Sequence, residues 1–169
     1  MKDHVTSLSI EPLGKRHSRS AFDCGNPGLN EYLANHARQN DTNNLARTFV
    51  AVDEHDVVLG FYCLSAASVD FENLPTDMTK RLPRYPVPAA LIGRLACDQS
   101  VQGQGLGAHL LISALQHILL ASEELGIKVA LVDAIDENAK RFYQHFGFLP
   151  LRGHEMKLFL PIETIAQLF

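Results

Sequence analysis

The chain has 169 residues, of which 46% are hydrophobic and 20% charged, as is typical of a soluble protein long enough to bury a core. Its formal net charge of −4 at pH 7 argues against a general affinity for nucleic acid or acidic membranes. The most apolar stretch, 110–121, contains Gln116 and His117 and is too short to cross a bilayer, so we expect no membrane partner.

The three cysteines, Cys24, Cys63 and Cys97, are scattered and form no CxxC pair. This pattern favours reduced thiols in a cytoplasmic protein and predicts neither a disulfide framework nor a metal site. Polar residues follow Met1, without the apolar run of a signal peptide, which also indicates a cytoplasmic location.

The hydrophobic patterns predict alternating strands and helices along the whole chain. The predicted strands cover residues 5–10, 48–52, 57–69, 89–98, 128–134, 148–151 and 156–160. The predicted helices cover 27–38, the stretch from the glycines near 105 to about 125, a segment ending at 145, and a last turn or two within 162–169. Residues 70–88 carry four prolines and are expected to form a long loop or lid with at most a short helix. This order predicts one α/β domain, 1–169, built on a mixed sheet.

Local signals mark several helix ends. Asn26 is placed to cap the first helix, and either Asp136 or Asn138 is placed to cap the one that ends at 145. Gly126 and Gly147 are expected to terminate the two helices that precede them.

The most informative segment is the glycine loop, which we define as residues 102–107, Gln-Gly-Gln-Gly-Leu-Gly. It leaves the apolar strand 89–98 and opens the long amphipathic helix. Backbone N–H groups in such a loop lie at the positive end of the helix dipole, so the loop predicts a phosphate or pyrophosphate site.

Two common phosphate-binding loops do not fit this sequence. A P-loop requires a Lys-Ser or Lys-Thr pair after its glycines, and none follows Gly107. A dinucleotide-binding loop requires GxGxxG in the first strand-to-helix turn, whereas the glycines here follow several earlier strands.

The loop resembles the acyl-CoA loop of the GNAT acyltransferase superfamily, [R/Q]xxGx[G/A], with Gln102, Gly105 and Gly107 at its fixed positions. Residues 139–148, AKRFYQHFGF, resemble the second signature of that superfamily, AxxFYxxxGF, one strand and one helix downstream. The resemblance implies a GNAT fold, in which a mostly antiparallel sheet flanked by helices splays between two parallel central strands.

The resemblance further implies that acetyl-CoA is the co-substrate, and the lack of clustered ligands predicts that no metal takes part. Its pantetheine arm would pair with backbone groups in the gap between the parallel strands, and loop amides would hold its pyrophosphate. Tyr143 would be the catalytic general acid that protonates the leaving thiolate. The expected cofactor-binding residues are Leu95, Ala96, Cys97, Gln102, Gly103, Gln104, Gly105, Gly107, Ala108, Asn138 and Phe142.

The strand that carries Leu95 contains no carboxylate facing the gap, and Asp98 lies at its end. An α-amine, whose pKa is about 7.7–8.0, needs less help to lose its proton than a lysine, whose pKa is about 10.4. The apparent lack of a base therefore favours an α-amine as the acceptor.

The resemblance extends to one subfamily through FDCGNP at 22–27, GRLA at 93–96 and LFLP at 158–161. The chain is similar there to the acetyltransferase toxins of type II toxin–antitoxin systems. That resemblance implies acetylation of the α-amino group of aminoacyl-tRNA and a block of translation. It also implies a small ribbon-helix-helix antitoxin and a homodimer. The residues expected to contact the tRNA are Arg94, Lys80, Arg81 and Arg84.

Two other functions remain open at this stage. The chain could be a GNAT enzyme that acetylates a small amine or a protein N-terminus without toxicity. It could also be an acyl-CoA-binding module without turnover, against which an intact Tyr143 argues.

Overall fold

A computed structural model describes residues 7–169, and seven of its strands form one sheet in the order β1-β2-β3-β4-β5-β7-β6. The strands are β1 (Ser9–Pro12), β2 (Arg47–Val52), β3 (Val58–Val69), β4 (Val87–Cys97), β5 (Val129–Asp133), β6 (Leu149–Leu151) and β7 (His154–Pro161). The α-helices are α1 (Pro27–Glu31), α2 (Ala37–Thr42), α3 (Thr76–Thr79), α4 (Leu106–Ala121), α5 (Glu137–His145) and α6 (Ile162–Ala166).

The sheet is mixed. Strands β4 and β5 pair in parallel, with Ala89 opposite Val129 and Ile92 opposite Val132. The pairs β1–β2, β2–β3, β5–β7 and β6–β7 are antiparallel. The predicted mixed and mostly antiparallel α/β sheet is therefore confirmed, while the splay between the parallel strands and the single domain over 1–169 stay predictions.

The chain divides into two compact units. The first comprises, within the described residues, 7–65 and 93–114, and the second comprises 66–92 and 115–169. The first unit has an apolar core around Phe22, Leu33 and Phe61. The second has a core around Val129 and Phe159, both fully buried.

The structure corrects the ends of two predicted helices and the role of Gly126. The helix expected over 27–38 continues to Thr42 through a π-helical turn, Tyr32–His36, which lies between α1 and α2. Helix α4 ends at Ala121 and not near 125, since two carboxylates, Glu123 and Glu124, oppose the negative end of a helix dipole. Gly126 accordingly lacks the positive φ of a helix-terminating glycine.

Other local predictions are confirmed. The side chain of Asn26 caps α1, and that of Asp136, rather than Asn138, caps α5. Gly147 follows α5 with φ +96°. The first predicted strand, 5–10, is corrected: its residues 5 and 6 lie outside the described residues, residues 7 and 8 are not part of a strand, and β1 covers Ser9–Pro12.

Among residues 7–169, no helix is both long enough and apolar enough to cross a membrane.

Candidate active site

The glycine loop presents open backbone at the start of α4. Gly103 has φ +80° and Gly105 has φ +88°, a left-handed conformation that side-chain-bearing residues adopt at a cost. No heavy atom lies within 4 Å of where a Cβ would stand at either glycine. Because the first amides of a helix have no partner within it, the N–H groups that open α4 are available to an anion. This geometry fits a pyrophosphate.

The side-chain amide of Gln102 is engaged in hydrogen bonds within the protein. Its Nε2 donates to the carbonyl oxygen of Cys97 at 2.9 Å and to that of Cys24 at 3.1 Å. The side chain therefore ties the end of β4 to the segment that carries the FDCG sequence. The predicted contact of Gln102 with the cofactor stays a prediction.

Asp98, which follows β4, connects the same two segments through hydrogen bonds of its side chain. Its carboxylate accepts from the backbone N–H of Asp23 at 3.0 Å, and from the N–H and hydroxyl of Ser100 at 3.0 and 2.8 Å. Burial raises the pKa of Asp98, but these hydrogen bonds outweigh it and lower the pKa below its ordinary value. Gly25 permits this close approach of the two segments. It has φ +91°, and a Cβ there would lie only 2.8 Å from Nε2 of Gln99.

Sequence reasoning used FDCG only as a family marker and missed this structural role. Asp23 also accepts at Oδ1 from the Gly25 N–H and from the Asn30 side chain. Asn30 in turn accepts from the Cys24 N–H at 2.9 Å. The FDCG segment thus forms the support on which the glycine loop rests.

The end of β4 carries Leu95 and Cys97, both half-buried, with buried Ala96 between them. Burial raises the pKa of Cys97 to about 12, and the nearby Cys24 thiol adds to the shift. A thiol with that pKa stays protonated at neutral pH and makes a poor nucleophile. The arrangement therefore favours direct acetyl transfer over an acetyl-cysteine intermediate.

Arg94, one residue earlier, is stacked on an aromatic ring. Its guanidinium carbon lies 3.5 Å from the ring centroid of Tyr32, which belongs to the π-helical turn. The Tyr32 hydroxyl accepts from Asn40 at 3.2 Å, which fixes the ring. No carboxylate in residues 7–169 forms an ion pair with Arg94, so this half-buried cation retains its hydrogen-bond donors for a ligand.

In the second unit, Tyr143 lies in an aromatic cluster on α5. Its ring packs against Phe142 and Phe148, with centroids 5.3 and 5.6 Å away, and the residue is 7% exposed. Burial raises the pKa of Tyr143 to about 12, and the negative charge of Asp133 adds to the shift. The hydroxyl is thus a neutral hydrogen-bond donor throughout the physiological pH range.

Asn138 is exposed at the start of α5, and its side-chain oxygen accepts from Arg141. Its predicted contact with the pantetheine arm stays a prediction. Asp133, at the end of β5, was not among the predicted site residues. A cavity of about 350 Å³ includes Asp133 in its wall, together with Asp70, His154 and Lys157.

The remaining predicted residues, Lys80, Arg81 and Arg84, are exposed between α3 and β4 in the second unit. Arg84 lies over the ring of Phe71 at 5.8 Å. Another basic stretch is engaged within the first unit, where Arg16 pairs with Glu11 and Asp56. Glu11, Asp56 and His17 form the one group of side chains in residues 7–169 that could ligate a metal ion, and Arg16 already neutralises the two carboxylates.

Comparison with known proteins defines the class of the chain. A family model described as an acetyltransferase (GNAT) domain matches residues 44–150, which include β4, the glycine loop and Tyr143. The chain therefore belongs to the GNAT acetyltransferase family, and the predicted fold family and enzyme class are confirmed.

Within that family, the chain is similar to named toxins. A tRNA-acetylating toxin of Mycobacterium tuberculosis is 38% identical over 129 residues, which are 76% of each protein. A probable toxin TacT of Sinorhizobium fredii is 33% identical over 94% of this chain and 93% of its own.

Solved structures of related toxins agree with this fold. A tyrosine-to-phenylalanine mutant of KacT superposes with a TM-score of 0.92 at 34% identity, over 96% of this chain and 99% of that one. AtaT complexed with acetyl-methionyl-tRNAfMet has a TM-score of 0.91 at 35% identity, with the same coverage. A phenylalanine mutant of AtaT bound to the C-terminus of the antitoxin AtaR and to acetyl-CoA has a TM-score of 0.83 at 33% identity, over 96% of this chain and 98% of that one.

Proposed function

We propose that this chain transfers the acetyl group of acetyl-CoA to the α-amino group of aminoacyl-tRNA and thereby blocks translation. The observation that carries the choice of substrate is the 38% identity to a tRNA-acetylating toxin over 76% of both chains. The glycine loop supports the choice of donor, because its open left-handed backbone at the start of α4 suits a pyrophosphate.

Each proposed site residue has a distinct task. Amides of Gly103, Gln104, Gly105, Gly107 and Ala108 would hold the pyrophosphate, and the side chain of Gln102 would keep the loop in place. Backbone groups of Leu95, Ala96 and Cys97 would pair with the pantetheine arm, and an N–H of this stretch would stabilise the oxyanion. Phe142 and Asn138 would complete the cofactor contacts.

In the reaction, the neutral α-amine forms a C–N bond to the thioester carbonyl, the C–S bond breaks, and the amine proton passes to water. Tyr143, with a pKa of about 12, is a weaker acid than a thiol of pKa about 8.5. Full proton transfer from Tyr143 to the departing thiolate would be uphill. We therefore assign to Tyr143 a hydrogen bond to that sulfur, which refines its predicted role as a general acid.

Arg94 and the loop cations Lys80, Arg81 and Arg84 would contact tRNA phosphates. We further propose a homodimer and neutralisation by a ribbon-helix-helix antitoxin. We also propose that the reaction takes place in the cytoplasm, where aminoacyl-tRNA would be met.

The deciding experiment is labelled acetyl transfer to bulk aminoacyl-tRNA, with deacylated tRNA as the control. We expect label on the charged pool alone, and a Tyr143→Phe enzyme that binds acetyl-CoA normally but loses about 10²–10³-fold in kcat, as for loss of one hydrogen-bond donor to developing charge. Label on a polyamine or peptide and not on charged tRNA would support the non-toxic acetyltransferase instead. Acetyl-CoA binding without transfer to any amine would indicate a binding module.

A further inference from the structure

The loop between α3 and β4 concentrates positive charge. From Met78 to Cys97 the sequence contains no Asp or Glu, while it contains Lys80, Arg81 and Arg84 and, in β4, Arg94. The chain as a whole has a net charge of −4, so this stretch departs from its surroundings. A polyanion is the partner that such a stretch suits best.

Tyr85 lies within this stretch and has its side chain in solvent. It is 71% exposed, whereas the other three tyrosines, Tyr32, Tyr62 and Tyr143, are 5%, 0% and 7% exposed. A tyrosine at this exposure gives up most of the stabilisation that burial of its ring would provide. The ring is therefore available to a partner.

The backbone around Tyr85 is restrained. Pro83 and Pro86 stand on either side of the Arg84-Tyr85 pair and fix their own φ angles. The Tyr85 N–H donates to the Pro83 carbonyl at 2.8 Å, which closes a tight turn. Little backbone conformational entropy remains to be lost at Tyr85 when a partner binds, and such preorganisation strengthens binding.

An apolar cavity of about 300 Å³ adjoins the ring. Its wall combines Tyr85 and the loop prolines with Ile127 and Lys128. The volume is at the lower end of the range for small-molecule sites and accommodates a flat heterocycle. The ring and the cavity offer a π-surface and an apolar wall, and the cations that precede Tyr85 in the sequence would supply phosphate partners.

We propose that Tyr85 is a base-stacking residue for the single-stranded end of the RNA substrate, with Lys80, Arg81 and Arg84 on the adjoining phosphates. Aromatic rings beside cationic side chains bind unpaired nucleotides in this way, since every base has a π-face. This proposal rests on the proposed function in taking RNA as the substrate. The flanking positive charge favours RNA over an apolar protein segment as the occupant.

Stacking and phosphate contacts differ in their dependence on salt, which makes the proposal testable. We would measure KM for aminoacyl-tRNA and for acetyl-CoA between 50 and 200 mM KCl, together with thermal unfolding. The variants are Tyr85→Ala, Tyr85→Phe, Arg84→Gln and a matched control, Leu120→Ala, which removes an apolar side chain of similar exposure (61%) from α4.

We expect Tyr85→Ala to raise KM for aminoacyl-tRNA about 5- to 100-fold at every salt concentration, in line with loss of one stacked base. Tyr85→Phe should restore the wild-type KM, because it keeps the ring. Arg84→Gln should also raise KM but should reduce the salt slope by about 1. KM for acetyl-CoA and the unfolding temperature should not change, and Leu120→Ala should behave as wild type.

Direct binding separates this proposal from the proposed function. An RNA hairpin with a single-stranded 3′ end should lose affinity for Tyr85→Ala, while a blunt hairpin should not. This difference in affinity would support the stacking role even if the wild-type protein failed to acetylate charged tRNA. Such a failure of acetylation would overturn only the proposed function. An unchanged affinity for the 3′ end, an equal loss with the blunt hairpin, or a Tyr85→Phe enzyme as weak as Tyr85→Ala would each overturn the stacking role. Loss confined to binding of a protein partner would do so as well.

Discussion

Replacing Gly105 by glutamate tests the glycine loop most directly. Gly105 has φ +88°, and a side chain in that left-handed conformation costs roughly 1–2 kcal/mol of stability. No atom lies within 4 Å of the new Cβ, so no steric clash adds to this cost. The added carboxylate would instead occupy the space above the α4 amides and repel a bound pyrophosphate.

The expected loss of binding follows from two contributions. A hydrogen bond from a backbone N–H to a charged phosphate contributes about 1.5–3 kcal/mol, and its loss alone weakens binding roughly 10- to 150-fold. Repulsion between the carboxylate and the pyrophosphate adds to it. We therefore expect the Kd for acetyl-CoA, measured by calorimetry, to rise at least about 100-fold.

Gly153 provides a matched control at the turn between β6 and β7. It has φ +80° and the same open space around its Cβ position. Gly153→Glu should therefore lose about as much stability to urea as Gly105→Glu while binding acetyl-CoA with wild-type affinity. Equal affinities of the two variants would refute the placement of the pyrophosphate at this loop.

Three further predictions concern Tyr143, Cys97 and Asp98. The tyrosinate absorbance that belongs to Tyr143, identified as the part absent from Tyr143→Phe, should appear near pH 12 in the wild type and at lower pH in Asp133→Asn. Because the pKa of Tyr143 is raised on folding, its contribution to the free energy of unfolding should be complete below about pH 10 and should fall as the pH rises through 12. Cys97→Ala should keep its kcat, and mass spectrometry of wild type mixed with acetyl-CoA should find no acetyl-cysteine; a covalent adduct that forms and decays at the rate of turnover would contradict direct transfer. Asp98→Ala should lower stability by about 2–3 kcal/mol and weaken acetyl-CoA binding, whereas Asp98→Asn should lose less because it keeps an acceptor oxygen. Since the pKa of Asp98 is lowered on folding, its contribution to the free energy of unfolding should be present above about pH 4 and should vanish as the pH falls through the folded pKa. A difference in stability between wild type and Asp98→Ala that does not change with pH below pH 4 would be inconsistent with this role.

Helix ends with strong local signals could be predicted from the sequence. Asn26 and Asp136 cap their helices by accepting a hydrogen bond from an amide three residues ahead. Gly147 follows α5 in a left-handed conformation that few other residues tolerate. Each signal acts over one helical turn, so neighbouring residues in the sequence suffice to read it.

Contacts between distant parts of the chain could not be predicted in this way. Asp98 accepts from the Asp23 N–H across 75 residues, and Gln102 reaches the Cys24 carbonyl across 78. The π-helical turn that carries Tyr32 was missed for the same reason, since the stacking on Arg94 spans separate elements. Tertiary packing selected these contacts.

The sequence by itself determined the order of the strands and helices, the glycine loop at the start of α4, and the pair of signatures that indicates acetyl transfer. These features depend on residue spacing, and spacing is a property of the chain. Only the tertiary structure decided that the side chain of Gln102 braces the loop, that the negative charge of Asp133 lies near Tyr143, and that Tyr85 alone of the four tyrosines stays exposed. Burial and the direction of a side chain depend on which distant residues pack against it.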